Sequence, residues 1–153
     1  MENNQDEFIQ ASIAERQKML KLFKQNNVTS YIFTDEKGYD KTDGLYTATT
    51  TNTPIIFEVK NRDISSTTYD SIVIGRDKVD YLLEQSKITN NVPYVFWFFN
   101  DNKYYYQKLD LETYYTNTWL PVSETTMGST RKKIVEKPFV AFKINPNKIQ
   151  DLI

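Results

Sequence analysis

The sequence predicts an α/β chain in the order α-β-β-β-α-β-β, with a mixed sheet and a β-containing C-terminal extension. Three observations carry that expectation. The N-terminal region holds a long stretch free of Gly and Pro with helical periodicity; short β-branched and aromatic runs then follow one another between turn signals; and a second helical pattern interrupts the runs. At 153 residues the chain fits one domain, 1–153, with a core over about 6–99 and an extension over about 100–153; a domain of that size buries ~70% of its unfolded surface.

Residues 6–26, DEFIQASIAERQKMLKLFKQN, read as a helix of about six turns. At ~100° per residue, Phe8, Ile9, Ala11, Ile13, Met19, Leu20, Leu22 and Phe23 fall on one broad arc. Glu15 and Arg16 lie inside it, so this charged pair either snorkels at the edge of the apolar face or meets something polar in the interior. VTSYIFT (28–34) has strand composition and is closed by the turn signal DEKG. DGLYTAT (43–49) and PIIFEVK (54–60) form a hairpin through TTNT, and NRDISSTTYD (61–70) is a polar loop. SIVIGRDKVDYLLEQSK (71–87) reads as the second helix, starting at Ser71 or near Gly75, with Val79, Leu82, Leu83 and Ser86 inward and Lys78, Tyr81 and Gln85 on a common stripe. PYVFWFF (93–99) is a buried strand, NDNK a turn and YYYQKLDL (104–111) its partner. Further on, SETTMGSTRKK (123–133) reads as an exposed, partly basic loop, PFVAFKI (138–144) as a last strand, and NPNKIQDLI as a short cap begun by Asn145 and Pro146. Tyr104–Tyr106 and Trp119 read as packing groups rather than base-stacking platforms.

Composition removes much chemistry. With no Cys and no His, the chain has no disulfide, no Cys/His zinc site, and no imidazole to activate a nucleophile. Carboxylates, Lys, Tyr and hydroxyls remain, so any metal is a hard cation on oxygen ligands, Mg²⁺ by default. Nineteen basic against twenty acidic residues give no global attraction to nucleic acid, and binding to phosphates requires a local patch such as Arg131-Lys132-Lys133. The acidic start and the lack of a long apolar run predict an intracellular, cytoplasmic protein with no membrane partner.

An acid-x-Lys triplet occurs three times: Asp35-Glu36-Lys37, Glu58-Val59-Lys60 and Asp101-Asn102-Lys103. Such triplets are common by chance, and the first and third fall in turns. The second ends a buried strand. Residues i and i+2 of a strand share a face, so Glu58 and Lys60 do. Asp43 joins them across the hairpin: Thr49 opposite Pro54 places it opposite Lys60, and a loop two residues shorter is expected to place it opposite Glu58. A slip of one residue separates them, leaving Glu58 and Lys60 as a surface ion pair.

A helix bearing Glu15, a strand opened by Asp43, the Glu58-Val59-Lys60 ending, and a following helix with Lys78 together resemble the PD-(D/E)xK nuclease superfamily, and YDSIVIGRDKVDYLLEQS followed by VPYVFWFFNDNKYYYQKL is similar to its small phage and bacterial members. The resemblance covers residues 6–99. Thr42 stands where many members have proline, and Asp40 rivals Asp43 for the same role. It implies a restriction-endonuclease-like αβββαβ core and an endonuclease that hydrolyses DNA with Mg²⁺, or Mn²⁺ as substitute. Asp43, Glu58 and the Val59 carbonyl would then hold the metal, Glu15 would complete the acidic cluster, and Lys60 would orient or deprotonate the attacking water. Lys78, with Gln85 or Tyr81, would contact the DNA backbone. A homodimer that cuts both strands, and a host-cytoplasmic location for a phage member, go with the same resemblance. The competing reading is a catalytically inactive protein of the same fold that binds nucleic acid or another protein.

Overall fold

Twenty-two residues, Asn4–Gln25, form α1 in a computed structural model that describes residues 4–34, 42–110, 116–125 and 132–153. Met19, Leu22 and Phe23 sit three and four residues apart, so they make one buried stripe, each contributing ~1.5–3 kcal/mol through burial. Leu20, expected on that arc, is 39% exposed because it lies one step of ~100° round from Met19; the side chains of Phe8, Ile9 and Ala11 lie outside the described residues. The helix stops where Asn26 turns its side-chain amide onto the Leu22 carbonyl and Asn27 adopts a φ of 58°.

The strands follow as β1 (Tyr31–Phe33), β2 (Gly44–Thr47), β3 (Pro54–Asn61), β4 (Ser71–Gly75), then α2 (Arg76–Thr89), β5 (Val92–Phe98), β6 (Lys103–Lys108), β7 (Thr116–Thr125), β8 (Lys132–Lys143) and β9 (Gln150–Asp151). A six-stranded mixed sheet has the order β1-β2-β3-β5-β6-β9; β3 and β5 are parallel and the other pairings antiparallel. A second, antiparallel sheet has the order β4-β8-β7.

Alternation along β3 and β5 divides the core. Ile55, Phe57, Val59, Phe96 and Phe98 face α1 and cluster with Met19, Leu22 and Phe23. Ile56, Val95, Trp97 and Phe99 face the other way, onto Val79 and Leu82 of α2 and onto Ile72, Ile74, Val140 and Phe142 of the second sheet. Two strands apolar on both faces require cover on both, which explains the layering.

Several expectations are corrected. Residues 71–75 are a strand, and the helix begins only at Arg76: Ile72, Val73 and Ile74 are β-branched, and β8 offers a partner that pairs Ile74 with Val140. The first strand is three residues rather than seven. The stretch read as a loop over 123–133 belongs in part to strands, since Ser123–Thr125 pairs with Lys132–Ile134, and the last strand therefore starts six residues earlier than expected. Trp119 is 64% exposed on β7 and does not pack; Tyr104 and Tyr105 do. Asn145 and Pro146 begin a 3-10 turn, Pro146–Lys148, capped by the Asn145 side chain. The Asp35 triplet, its DEKG turn, Asp40 and Arg131 lie outside the described residues. The Asp101 triplet is a turn with Asn102 at a φ of 56°, and Asp101 Oδ2 accepts from the Ser66 backbone N–H and hydroxyl, pinning the 62–70 loop.

Gly44 is required by close approach: a Cβ there would collide with the Ile32 carbonyl oxygen and the Phe57 ring. Gly44→Ala is expected to lower stability by ~1–3 kcal/mol, read as a reduced midpoint in urea. An unchanged midpoint would show that β1 and β2 do not pack as closely as described.

Candidate active site

β3 outruns one of its neighbours. β2 pairs with it only over Pro54–Phe57, whereas β5 pairs along Ile55–Asn61. Past Phe57 its β2-side edge has no ladder, and a strand presents every second N–H to one edge. The chain leaves β2 at Asp43, whose own N–H still reaches the Phe57 carbonyl at 3.0 Å. Its carboxylate then replaces the missing strand, Oδ2 accepting from Val59 N–H at 2.6 Å. Two residues on, Asn61 N–H donates to Glu15 Oε1 of α1 at 3.3 Å. Two acids from different elements thus cap successive donors of one open edge.

The register Gly44↔Phe57, extended by one residue, sets Asp43 opposite Glu58, as one of the two expected pairings did, but through a connection two residues longer than TTNT rather than two shorter, because β2 ends at Thr47. The connection is Ala48–Thr53, closed by Ala48 N–H on the Thr53 carbonyl, with Asn52 at a φ of 54°. Glu58 points to the α2 side of the sheet, 4% exposed. Its Oε1 lies 3.3 Å from Lys60 Nζ and 3.9 Å from Lys78 Nζ, while Oε2 is buried with no hydrogen-bond partner.

Burial dominates the electrostatics. The Glu58 carboxyl is pushed up to about 8, first by desolvation and then by Asp43, against the pull of Lys60 and Lys78. Two ion pairs therefore do not offset the cost of placing the charge inside the sheet. Glu15 is raised in the same way, by burial and then by Asp43, with Lys60, the Asn61 N–H and Arg62 opposing. The basic neighbours of Glu15 on α1 are engaged elsewhere: Arg16 donates to the Thr34 carbonyl and lies over the Phe33 ring, and Lys18 donates to Asn61 Oδ1 at 2.6 Å.

Glu15, Asp43, Glu58, Lys60 and Lys78 are thus linked through the end of β3. Gln85 stands two turns beyond Lys78, lining a 330 Å³ cavity with Thr42, Gly44, Leu45 and Ile56, next to the charged groups rather than among them. Tyr81 is half-buried between them on the same helix. Arg62 was missed. It continues the Ile56-Glu58-Lys60 alternation, feels Glu15, and donates to the Val73 carbonyl at 3.4 Å; period-two counting beyond Lys60 would have found it. Asn61 was missed too, and no pattern in the sequence marks it.

The architecture is that of the restriction-endonuclease-like fold, as the sequence resemblance implied, with β4 as an additional strand before α2. Among solved structures the chain is similar to "1.6A resolution structure of Archaeoglobus fulgidus Hjc, a Holliday junction resolvase from an archaeal hyperthermophile", with a TM-score of 0.54 and 14% identity over 86% of this chain and 83% of that one. No protein-family model and no curated protein matches the sequence.

In the apo protein, Glu58 makes stability depend on pH with a definite sign. The folded state keeps its proton up to about 8, the unfolded chain loses it near the ordinary value of ~4.3, and stability therefore falls as pH rises through that window. Glu58→Gln carries no such dependence at this position. The stability of Glu58→Gln relative to the parent is expected to improve between pH 5 and pH 8.5 by a few kcal/mol, at most ~4, in urea titrations with EDTA. A difference that stays constant across those pH values would place the Glu58 carboxyl in water.

Proposed function

We propose that the chain is a metal-dependent endonuclease acting on DNA, with Asp43, Glu58 and Lys60 at its centre. One observation carries the reading: a carboxylate buried in the central strand keeps an unpartnered oxygen, Glu58 Oε2, beside a second carboxylate and two lysines. Structural ion pairs satisfy their oxygens. An orphaned one at the end of a sheet, where the strand edge opens, fits a cation ligand. The fold similarity to a resolvase is consistent with this chemistry.

The donor set suits a hard divalent cation such as Mg²⁺, because only oxygen ligands are offered. Among the described residues no three acidic groups form a metal cluster, so Asp43 and Glu58 would hold the ion with the Val59 carbonyl, and Glu15 would act through water. When bound, the cation supplies an activated water and neutralises charge on the phosphate. The remaining work falls to side chains. Lys60, held 3.3 Å from Glu58, orients the attacking water and takes part in its proton transfer. Lys78, at the start of α2, meets a phosphate oxygen from the opposite side; Gln85 follows along the same stripe, where the adjoining nucleotide would lie.

The non-catalytic reading has an observation of its own, since Lys60 and Lys78 already engage Glu58 Oε1. Purified protein with Mg²⁺ or Mn²⁺, tested on linear, single-stranded and branched DNA, separates the two. Glu58→Ala and Lys60→Ala are each expected to reduce cleavage by roughly 10²–10⁴-fold while the circular-dichroism spectrum stays unchanged. Absence of metal-dependent cleavage of any DNA form by folded wild-type protein would sink the nuclease assignment and leave the binding module.

A further inference from the structure

α1 covers only part of its face of the six-stranded sheet. Phe23, in its last turn, rests on Tyr46 and Phe57 with ring centroids 5.0 and 5.9 Å apart, and the chain then turns away at Asn26 and Asn27. Aromatic residues continue past that point. Period-two alternation puts Tyr94 and Phe96 of β5 on the same face as Tyr106 and Lys108 of β6, with Phe96 opposite Tyr106 and Tyr94 opposite Lys108. Their rings form one run: Tyr94 stacks on Phe96 at 6.2 Å, and Tyr106 lies 5.8 Å from Phe96 and 6.0 Å from Tyr94. Over this run lies a cavity of 530 Å³, walled by the end of α1 on one side and the β2–β3 connection on the other. Thr49 Oγ1 donates to the Asn26 carbonyl at 3.1 Å, so the two walls hold each other in place.

Small-molecule sites of this size combine apolar walls with a few placed polar groups. Here the polar groups are phenols: the hydroxyls of Tyr46, Tyr94 and Tyr106 line the cavity and have no hydrogen-bond partner among the described residues. A phenol both donates and accepts. Burial first, and then the neighbouring phenols, hold Tyr46 and Tyr94 above the ordinary tyrosine range, so both stay neutral. Lys108 is the one charged side chain among the described lining residues, and no acid stands with it. Ring faces for stacking, hydroxyls for the edge of a heterocycle and a single exposed cation together match a nucleobase that carries a phosphate. A cationic ligand would find no counter-charge, and a hydrocarbon would bury the hydroxyls unpaired. The cavity is separate from the candidate active site: Ile55 in its lining faces α1, whereas Glu58, three residues further along β3, meets Lys78 of α2 on the other side of the sheet.

We propose that this cavity is a nucleotide-binding site, with the base stacked on Tyr94 and Tyr106, its edge on the phenol hydroxyls and its phosphate on Lys108. The site stands whether or not the end of β3 cleaves DNA. Its occupant is a nucleotide, free or unpaired within a strand, and the two sources are separated by calorimetric titration of the full chain in EDTA. The probes are the four deoxynucleoside monophosphates, their nucleosides and a single strand of ten nucleotides. Saturable binding of at least one monophosphate is expected at roughly 10 µM to 1 mM. Tyr106 is 46% exposed, so it can be changed without opening the core: Tyr106→Ala is expected to weaken binding about 10- to 100-fold through lost stacking, and Tyr106→Phe, which keeps the ring, only about 2- to 5-fold. Lys108→Gln is expected to bring the monophosphate down to the affinity of its nucleoside and to leave the nucleoside unchanged. Lys60→Ala is expected to change neither. Tighter binding of the strand than of any monophosphate, again lost in Tyr106→Ala, would identify the occupant as an unpaired strand, and no gain from the strand would identify a free nucleotide; both keep the site. No saturable binding by folded wild-type protein, unchanged affinity in Tyr106→Ala or Lys108→Gln, or loss of affinity in Lys60→Ala would each overturn it.

Discussion

The open edge at the end of β3 is the constraint on which the rest depends. Sheet hydrogen bonds are obligatory where water is excluded, and β3 loses its β2 partner at Phe57 while remaining flanked by β5 through Asn61. Its last inward donors must be satisfied by something other than a strand. Asp43 and Glu15 do this with carboxylates, which brings negative charge from a hairpin and a helix to one point. A third strand partner there would have closed the gap and removed the need for either acid. The site is thus a consequence of unequal strand lengths rather than an addition to a finished sheet.

Burial then sets the chemistry of that point. Phe57 and Val59, the apolar neighbours of Glu58 in sequence, fasten β3 against α1, and on its own face Ile56 and Val95 join the core under α2. The carboxylate between them cannot move to water without unpicking one layer or the other. It answers the loss of solvent by holding its proton more tightly, and the two lysines reduce that tendency without reversing it. Under the proposed function a cation would replace the proton, and its uptake would be coupled to deprotonation of this residue.

Much of this was legible in the sequence because two periods agreed. Alternation in PIIFEVK put Glu58 and Lys60 on one face, and the helical period of 6–26 put Glu15 on the packed arc of α1. The register of the hairpin was not legible: TTNT reads as a connection of four residues or fewer, and Asn52 in the left-handed region with Pro54 opposite Thr47 makes it six. The strand Ser71–Gly75 was hidden for a different reason. SIVIG runs into RDKVDYLLEQ with no proline between them, so a helical window absorbs it, and only a partner some seventy residues downstream, β8, makes it a strand. Trp119 was misplaced because aromatic content predicts burial on average, whereas a ribbon that projects from its sheet has no core to offer.

Charge around β3 is more balanced than its three acids alone would make it. Glu15, Asp43 and Glu58 would repel phosphate if they stood alone, but two of them have cationic company: Lys60 and Lys78 at Glu58, and Arg62 and Lys60 near Glu15, with Lys18 held on the neighbouring Asn61. With Glu58 protonated, four lysine and arginine charges already exceed the two remaining acids. A divalent ion in place of that proton would move the balance further toward positive, as the proposed chemistry requires. Attraction from such a site is screened within ~10 Å at moderate salt, so under the proposed function it would act on a phosphate already brought to the strand end rather than on one at a distance.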